Sequence, residues 1–194
     1  RFGNGVNISH WVGLPYAQIT GYGYKRDANG NKIFSDGSDG IAAGEPEPTV
    51  KQIPLGSGVY KQTGGVTNDF HYKDFNLSFL IDFKYGAKIY SGTNLLLYNY
   101  GLQKTTLQGR ATGGYVGKGV DLTGHPNTQA VSSQTYFQDL STGNDQIAEE
   151  FVYDASFIKL RSLSLGYSLP AKVIKGTAIK GCLLYTSDAA DDLT

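Results

Sequence analysis

Between Phe75 and Tyr90 the chain reads FNLSFLIDFKYGAKIY. The odd positions, Phe75, Leu77, Phe79, Ile81, Phe83, Tyr85, Ala87 and Ile89, are all apolar or aromatic. The even positions are polar or glycine, apart from Leu80 and Tyr90. Successive side chains on a strand point to opposite faces, so the alternation predicts one long strand with an apolar and a polar face. A helix would scatter the same residues around its circumference. Strands of globular domains run about 5–6 residues, and a tilted strand crosses a bilayer in about 9–11. At ~3.3 Å per residue and a tilt of about 40–45°, Phe75 and Tyr85 are separated by about 25 Å along a membrane normal, the height of the apolar band of a transmembrane barrel. A long strand in a two-sheet sandwich fits this stretch equally well.

The preceding segment, Gly64–Tyr72 (GGVTNDFHY), predicts a hairpin partner across a tight Lys73-Asp74 turn. That pairing sets Tyr72 opposite Phe75, Phe70 opposite Leu77, Asn68 opposite Phe79 and Val66 opposite Ile81. All but Asn68 extend the apolar face. The other face pairs His71 with Asn76, Asp69 with Ser78 and Gly65 with Asp82. One register satisfies both strands, and a slip of one residue would break it. Phe70, Tyr72 and Phe75 gather beside the turn as an interfacial girdle does.

Elsewhere the pattern is weaker. Arg1–Leu14 is uninformative, and Tyr16–Tyr24 has strand composition. Asn29-Gly30 predicts a turn within Asp27–Asn31, with Lys32–Phe34 as a short returning strand. Ser35–Gly58, with Pro46, Pro48 and Pro54, reads as loop. Ser91–Tyr153 is a long excursion. Its spacing of Leu95, Tyr98 and Leu102 predicts a short helix within Asn94–Leu107. Arg110–Asn127 reads as a glycine-rich loop. Ser132 or Ser133 caps a second helix through Leu140, and Ile147–Tyr153 suggests a third. Such an excursion counts against a compact soluble domain and suits the long loops of a barrel. With short turns such as Lys73-Asp74 on the periplasmic side, it falls on the extracellular one. Alternation returns in Asp154–Pro170, where Leu163, Leu165, Tyr167 and Leu169 share a face opposite Ser162, Ser164, Gly166 and Ser168. On that parity Lys159 and Arg161 fall on the apolar face, near the loop end and beyond the hydrocarbon. Ala171–Gly176 is read as a turn, and Thr177–Gly181 as the start of the next strand.

Composition narrows the class. The 194 residues include 26 glycines, 14 tyrosines and no methionine, and the 17 basic and 17 acidic residues balance. Neutrality gives no pointer to a polyanionic partner, and no nucleic acid is expected. No apolar run reaches the roughly 18 residues of a membrane helix, which says nothing against a barrel. A single cysteine, Cys182, excludes an internal disulfide framework. With no start methionine and no signal peptide, the chain reads as an internal fragment.

Candidate chemistry is sparse. Asp27-x-Asn29-x-Asn31 has calcium-loop spacing, but Lys32 stands where the loop needs glycine and Ser38 where it needs glutamate, so the segment reads as a turn. Asp36 and Asp39 read the same way. His10, His71 and His125 are scattered without metal-ligand spacing, and no catalytic or cofactor motif is present. No catalytic residue, metal or cofactor is assigned, and the chain is read as no enzyme. Asn76, Ser78, Asp82, Lys84 and Lys88 are the polar-face positions that would line a barrel lumen, where neutralisation among wall charges is favoured over direct substrate contact.

Three stretches carry a resemblance: GYGYKRDANGNKIF, GGVTNDFHYKDFNLSF and, most specific, DASFIKLRSLSLGYSLP. They resemble the carboxy-terminal part of a SusC/RagA-type TonB-dependent outer-membrane transporter, and NLLLYNYGLQKTTLQGR is similar to a loop helix of one branch. The match covers residues 11–181. The fold it implies is all-β: a partial antiparallel transmembrane β-barrel, here a wall fragment with long extracellular loops carrying short helices. The whole barrel would have about 22 strands and a plug. The resemblance implies a bacterial outer-membrane location, contact with membrane lipid, and uptake of glycan or peptide oligomers. It also implies a SusD-like surface lipoprotein as lid, and a TonB complex acting through an amino-terminal plug and TonB box that these residues lack. Tyr98, Tyr100, Tyr115, Tyr136 and Phe137 are the loop aromatics suited to lid or substrate, although packing within the loop is the first role for each. Residues 1–181 are read as barrel domain. Residues 182–194, CLLYTSDAADDLT, have no strand period, resemble translated adapter read-through and are set outside the fold. The competing reading is a secreted β-sandwich glycan-binding module.

Overall fold

The computed structural model describes residues 5–38, 40–142, 146–170, 172, 175 and 183–188, the last segment as backbone. The elements in chain order are β1 (Asn7–Ser9), β2 (Gln18–Gly21), β3 (Ile53–Ser57), β4 (Gln62–Tyr72), β5 (Phe75–Tyr85), β6 (Lys88–Tyr90), α1 (Gly92–Asn99), β7 (Tyr115–Val116), β8 (Ala130–Val131), α2 (Ser133–Ser141), β9 (Val152–Asp154), β10 (Phe157–Ser168) and β11 (Leu183–Asp188). Single 3₁₀ turns lie at Lys104–Leu107 and Ala148–Phe151. The strands all pair antiparallel, with few short helices between them. The chain divides into two compact units, Arg1–Val59 with Ala87–Asp154, and Tyr60–Gly86 with Ala155–Thr194.

The second unit is a four-stranded sheet in the order β11-β10-β5-β4. β4 and β5 form the expected hairpin in the expected register, from Tyr72 opposite Phe75 through Gly65 opposite Asp82. Lys73 holds a left-handed φ of 53° in the two-residue connection, a conformation that β-hairpins favour because it matches strand twist. Gly64 falls on the apolar parity because the Phe83 ring covers it: a Cβ there would lie 2.6 Å from Phe83 Cζ.

The expected continuous strand Phe75–Tyr90 is divided. β5 stops at Tyr85. Gly86 follows with φ of 86°, which ends the pleat, and its N–H donates to Ser156 Oγ at 3.0 Å. Lys88–Tyr90 becomes β6 and pairs with β9 in the first unit. At the other side of β5, β10 pairs from Phe157 opposite Lys84 to Tyr167 opposite Phe75, with a β-bulge between Leu160 and Ser162. Beyond β10, Leu183–Asp188 pairs with Leu163–Ser168 as β11. The absence of a side-chain period in the tail did not stop it forming a strand, because ladder hydrogen bonds use the backbone alone. Thr177–Gly181, expected to begin that strand, lies outside the described residues.

The first unit holds a β1-β2-β3 sheet and the ribbons β6-β9 and β7-β8. β3 lies in a segment expected to be loop. Pro54 is tolerated there because β3 is an edge strand, where a missing N–H need not break a ladder. The helix expected within Asn94–Leu107 starts earlier, at Gly92, with Ser91 Oγ as cap, and its second half is a 3₁₀ turn. α2 is capped by Ser132, one of the two serines expected for the role. The third expected helix is one 3₁₀ turn leading into β9.

The excursion is packed. Leu95 and Tyr98 of α1, Tyr136, Phe137 and Leu140 of α2, and Phe151 share one core with Tyr24 and Phe34 from the glycine-rich loops. Phe34 and Phe151 are fully buried. The glycines of Arg110–Asn127 make room for Phe34. A Cβ on Gly117 would sit 2.1 Å from its ring, and one on Gly119 would sit 2.2 Å from the Lys32 carbonyl oxygen. Gly119→Ala should therefore destabilise this module by about 1–3 kcal/mol through overpacking. Gly92→Ala, at a helical position with open space around it, should be neutral. Limited proteolysis of residues 92–142 in the intact protein checks the contrast; equal cleavage rates in the two variants would refute it.

Candidate functional site

The β4-β5-β10 sheet has two different faces. Asn76, Ser78, Asp82 and Lys84 lie on the polar face of β5. Asn76 meets His71 across the hairpin, and Ser78 stands between Asp69 and Ser164. Lys88, grouped with them from the sequence, lies on β6 of the first unit instead, where it pairs with Asp154 at 3.1 Å. Gly86 interrupts the alternation that had joined it to the other four.

The bulge in β10 corrects a second expectation. Arg161 is the extra residue, so residues on its amino-terminal side change face. Lys159 comes opposite Asp82, on the polar face, and Ile158 and Leu160 join Phe83 and Ile81 on the apolar one. Arg161 itself reaches the polar face, donating from Nε and Nη2 to Asp82 Oδ2 at 3.1 and 3.0 Å. A cation–aromatic cluster results. Lys84, Lys159 and Arg161 all lie within 6.0 Å of the Phe157 ring centre, and Tyr60 packs edge-on against that ring. The sequence carried a signal for this. Its apolar positions pass from even (Ile158, Leu160) to odd (Leu163, Leu165, Tyr167), which an unbroken period cannot do.

The apolar face is uncovered. Val66, Phe70, Phe75, Tyr85, Ile158, Leu160 and Leu165 are exposed, Ile158 to 78%. Aromatic residues mark both ends: Phe70, Tyr72, Phe75 and Tyr167 beside the turn, Phe83 and Tyr85 at the other end. Phe75 and Tyr167 are in ring contact at 4.6 Å.

Of the loop aromatics, Tyr98, Tyr136 and Phe137 are buried, with Tyr115 packed against them. Phe137 lies edge-on to Tyr98 at 5.5 Å and to Tyr136 at 5.1 Å. Only Tyr100 of the five is open to solvent, at 72%. Burial, reinforced by the charge of Glu150, raises the Tyr24 hydroxyl well above its ordinary range. That hydroxyl donates to Glu150 Oε2 at 2.7 Å, and Lys32 sits over the ring at 3.4 Å.

Asp27 serves its own turn. It accepts from the Asn31 side chain and from the N–H groups of Asn29 and Asn31, and these bonds hold its carboxyl below the usual range. Asp121 repeats the device with Thr123 and His125. Among the described residues no cluster of three metal-ligating side chains exists.

No protein-family model matches the chain. A TonB-dependent receptor, P3, of Formosa agariphila is 26% identical over 158 residues, which is 81% of this chain and 14% of the relative. The RagAB peptide importer in its closed-closed state superposes with a TM-score of 0.51 at 17% identity, over 93% of this chain and 18% of that one. Both bear out the SusC/RagA resemblance. At 17% the second match shows the fold alone, and that fold is a barrel wall. This chain spans a small part of either relative.

One acidic pair ties the proline-rich segment to α2. Glu45 is pushed up to about 7, by burial first and then by its hydrogen bond to Asp139 and that group's charge. Folding raises this pKa, so the contribution is full below the ordinary value of 4.5 and lost as pH rises through about 7. Backbone hydrogen exchange in α2, corrected for intrinsic rate, should accelerate across that window. Glu45→Gln should flatten the dependence; an unchanged profile would contradict the assignment.

Proposed function

We propose that this chain forms part of the wall and the outward loops of a TonB-dependent importer in a bacterial outer membrane. It moves glycan or peptide oligomers, acts with a SusD-like surface lipoprotein, and is energised by a TonB complex through another part of the protein. The work is transport, not catalysis. One observation carries the reading: three paired strands of 11, 11 and 12 residues with an uncovered apolar face. A β-sandwich would bury that face against a second sheet. A bilayer is the solvent that suits it, and the strand lengths suit its thickness. The polar face, with Asn76, Ser78, Asp82 and Lys84 joined by Lys159 and Arg161, is then the lumen wall. Lys88 is withdrawn from that set because it lies on β6.

The two faces should respond oppositely to charge. In the full-length protein, Phe79→Arg and Leu160→Arg should each cost about 2–4 kcal/mol and impair barrel assembly, while Ser78→Arg and Lys159→Ala should be tolerated. Heat-modifiable migration on gels reports assembly. Equal tolerance at Phe79 and Ser78 would sink the membrane reading, and equal tolerance at Leu160 and Lys159 would sink the bulge.

The packed excursion serves the partners. Tyr100 and Leu102 are its most open apolar side chains, at 72% and 71%, and an aromatic anchor of this kind suits a protein interface. Tyr100→Ser with Leu102→Ser should leave assembly intact and reduce co-purification of the lipoprotein at least several-fold, with growth on the cognate oligomer falling in parallel. Wild-type docking and growth would remove these residues from the lid contact.

A further inference from the structure

The loop module carries a half-open cavity of about 620 Å³. Ligand pockets run from about 300 to 1,000 Å³, so a sugar unit or two fits. It lies between the end of α1, the loop through Arg110, and the start of α2. Three aromatic residues, Tyr98, Tyr100 and Phe137, contribute to its lining, together with the amide-bearing Asn99, Gln134 and Gln138. Arg110 is its charged group, and no carboxylate lines it among the described residues.

Arg110 is held in place by its own loop. Nε donates to the Thr106 carbonyl at 2.8 Å, and Nη2 donates to the Gly101 carbonyl at 2.8 Å and to Thr106 Oγ1 at 3.0 Å. Nη1 donates to no protein atom among the described residues. The fork is thus oriented with donor capacity left for a ligand, which is the preorganisation that makes arginine a good carboxylate receptor. The amides are only lightly used. Gln138 donates to the Asn99 carbonyl at 3.3 Å and accepts from Gln134 at 3.5 Å.

The chemistry selects among ligands. An apolar ligand would strand the amides without partners. A cation would face Arg110 with no carboxylate to balance it. A unit bearing several anionic groups would find one cation only. A hydroxyl-rich ring bearing one carboxylate satisfies the amides, the fork and the exposed Tyr100 ring together. We propose that this cavity binds a uronic-acid unit of an oligosaccharide, capturing it on the loop side of the protein. The purpose rests on the transport reading; the binding does not.

The test uses the intact receptor purified in detergent, with labelled galacturonate hexamer as probe and maltohexaose and hexaglutamate beside it. Galacturonate hexamer should bind at least tenfold tighter than either. Gln134→Trp, which fills the cavity and removes only the 3.5 Å bond to Gln138, should weaken it tenfold or more. Arg110→Gln should lower galacturonate affinity by a similar factor and leave maltohexaose unchanged. No galacturonate binding, preference for hexaglutamate, or wild-type affinity in Gln134→Trp would each overturn the proposal. Galacturonate binding that Gln134→Trp abolishes, in a protein absent from outer membranes, would overturn the transport reading and leave the cavity's assignment standing.

Discussion

Strand register is the constraint on which the wall depends. Side chains alternate with a period of two, so a slip of one residue in β4, β5 or β10 would exchange the apolar and polar faces. Two devices hold it. The two-residue connection at Lys73-Asp74 pins β4 to β5. The bulge at Arg161 lets β10 carry one residue more than β5 while both sides of the strand stay in register. It brings Ile158 and Leu160 to the apolar face and sends two cations to the polar one. The Arg161–Asp82 bond then holds the bulged residue against β5.

The excursion between β5 and β10 obeys a different rule. It keeps no strand period because it makes its own core, built on close approach. Glycines at 117 and 119 let backbone pass directly over Phe34, and the edge-to-face rings of Tyr98, Phe137 and Phe151 lock the two helices to the 3₁₀ turn. Glu149 and Glu150, on that turn, meet Arg26, Lys32 and the Tyr24 hydroxyl of the glycine-rich loops. The loop aromatics that composition marked as contact residues are mostly the rings that build this core. That leaves Tyr100, outside the core, as the aromatic with a free face.

The register of the hairpin was legible in the sequence to the residue, because period-two alternation and a two-residue turn are local properties that fix a unique pairing. The cap of α2 was equally local: a serine ahead of a helical spacing. The all-β class and the SusC/RagA resemblance also came from the linear pattern. What the sequence could not assign was anything decided by a partner distant along the chain. Gly86 ends β5 in concert with Ser156, seventy residues away, so Lys88 read as wall until the pairing of β6 with β9 placed it elsewhere. Pro54 argued for loop until β3 proved to be an edge. Lys159 and Arg161 took the wrong face because a bulge is defined by two strands, and one strand alone shows only a change of parity. The tail at Leu183–Asp188 pairs through backbone groups that every residue carries, so no side-chain pattern announced it. Alternation determined the faces locally. Tertiary pairing decided where each face begins and ends, because the hydrogen bonds that end or shift a strand come from residues far along the chain.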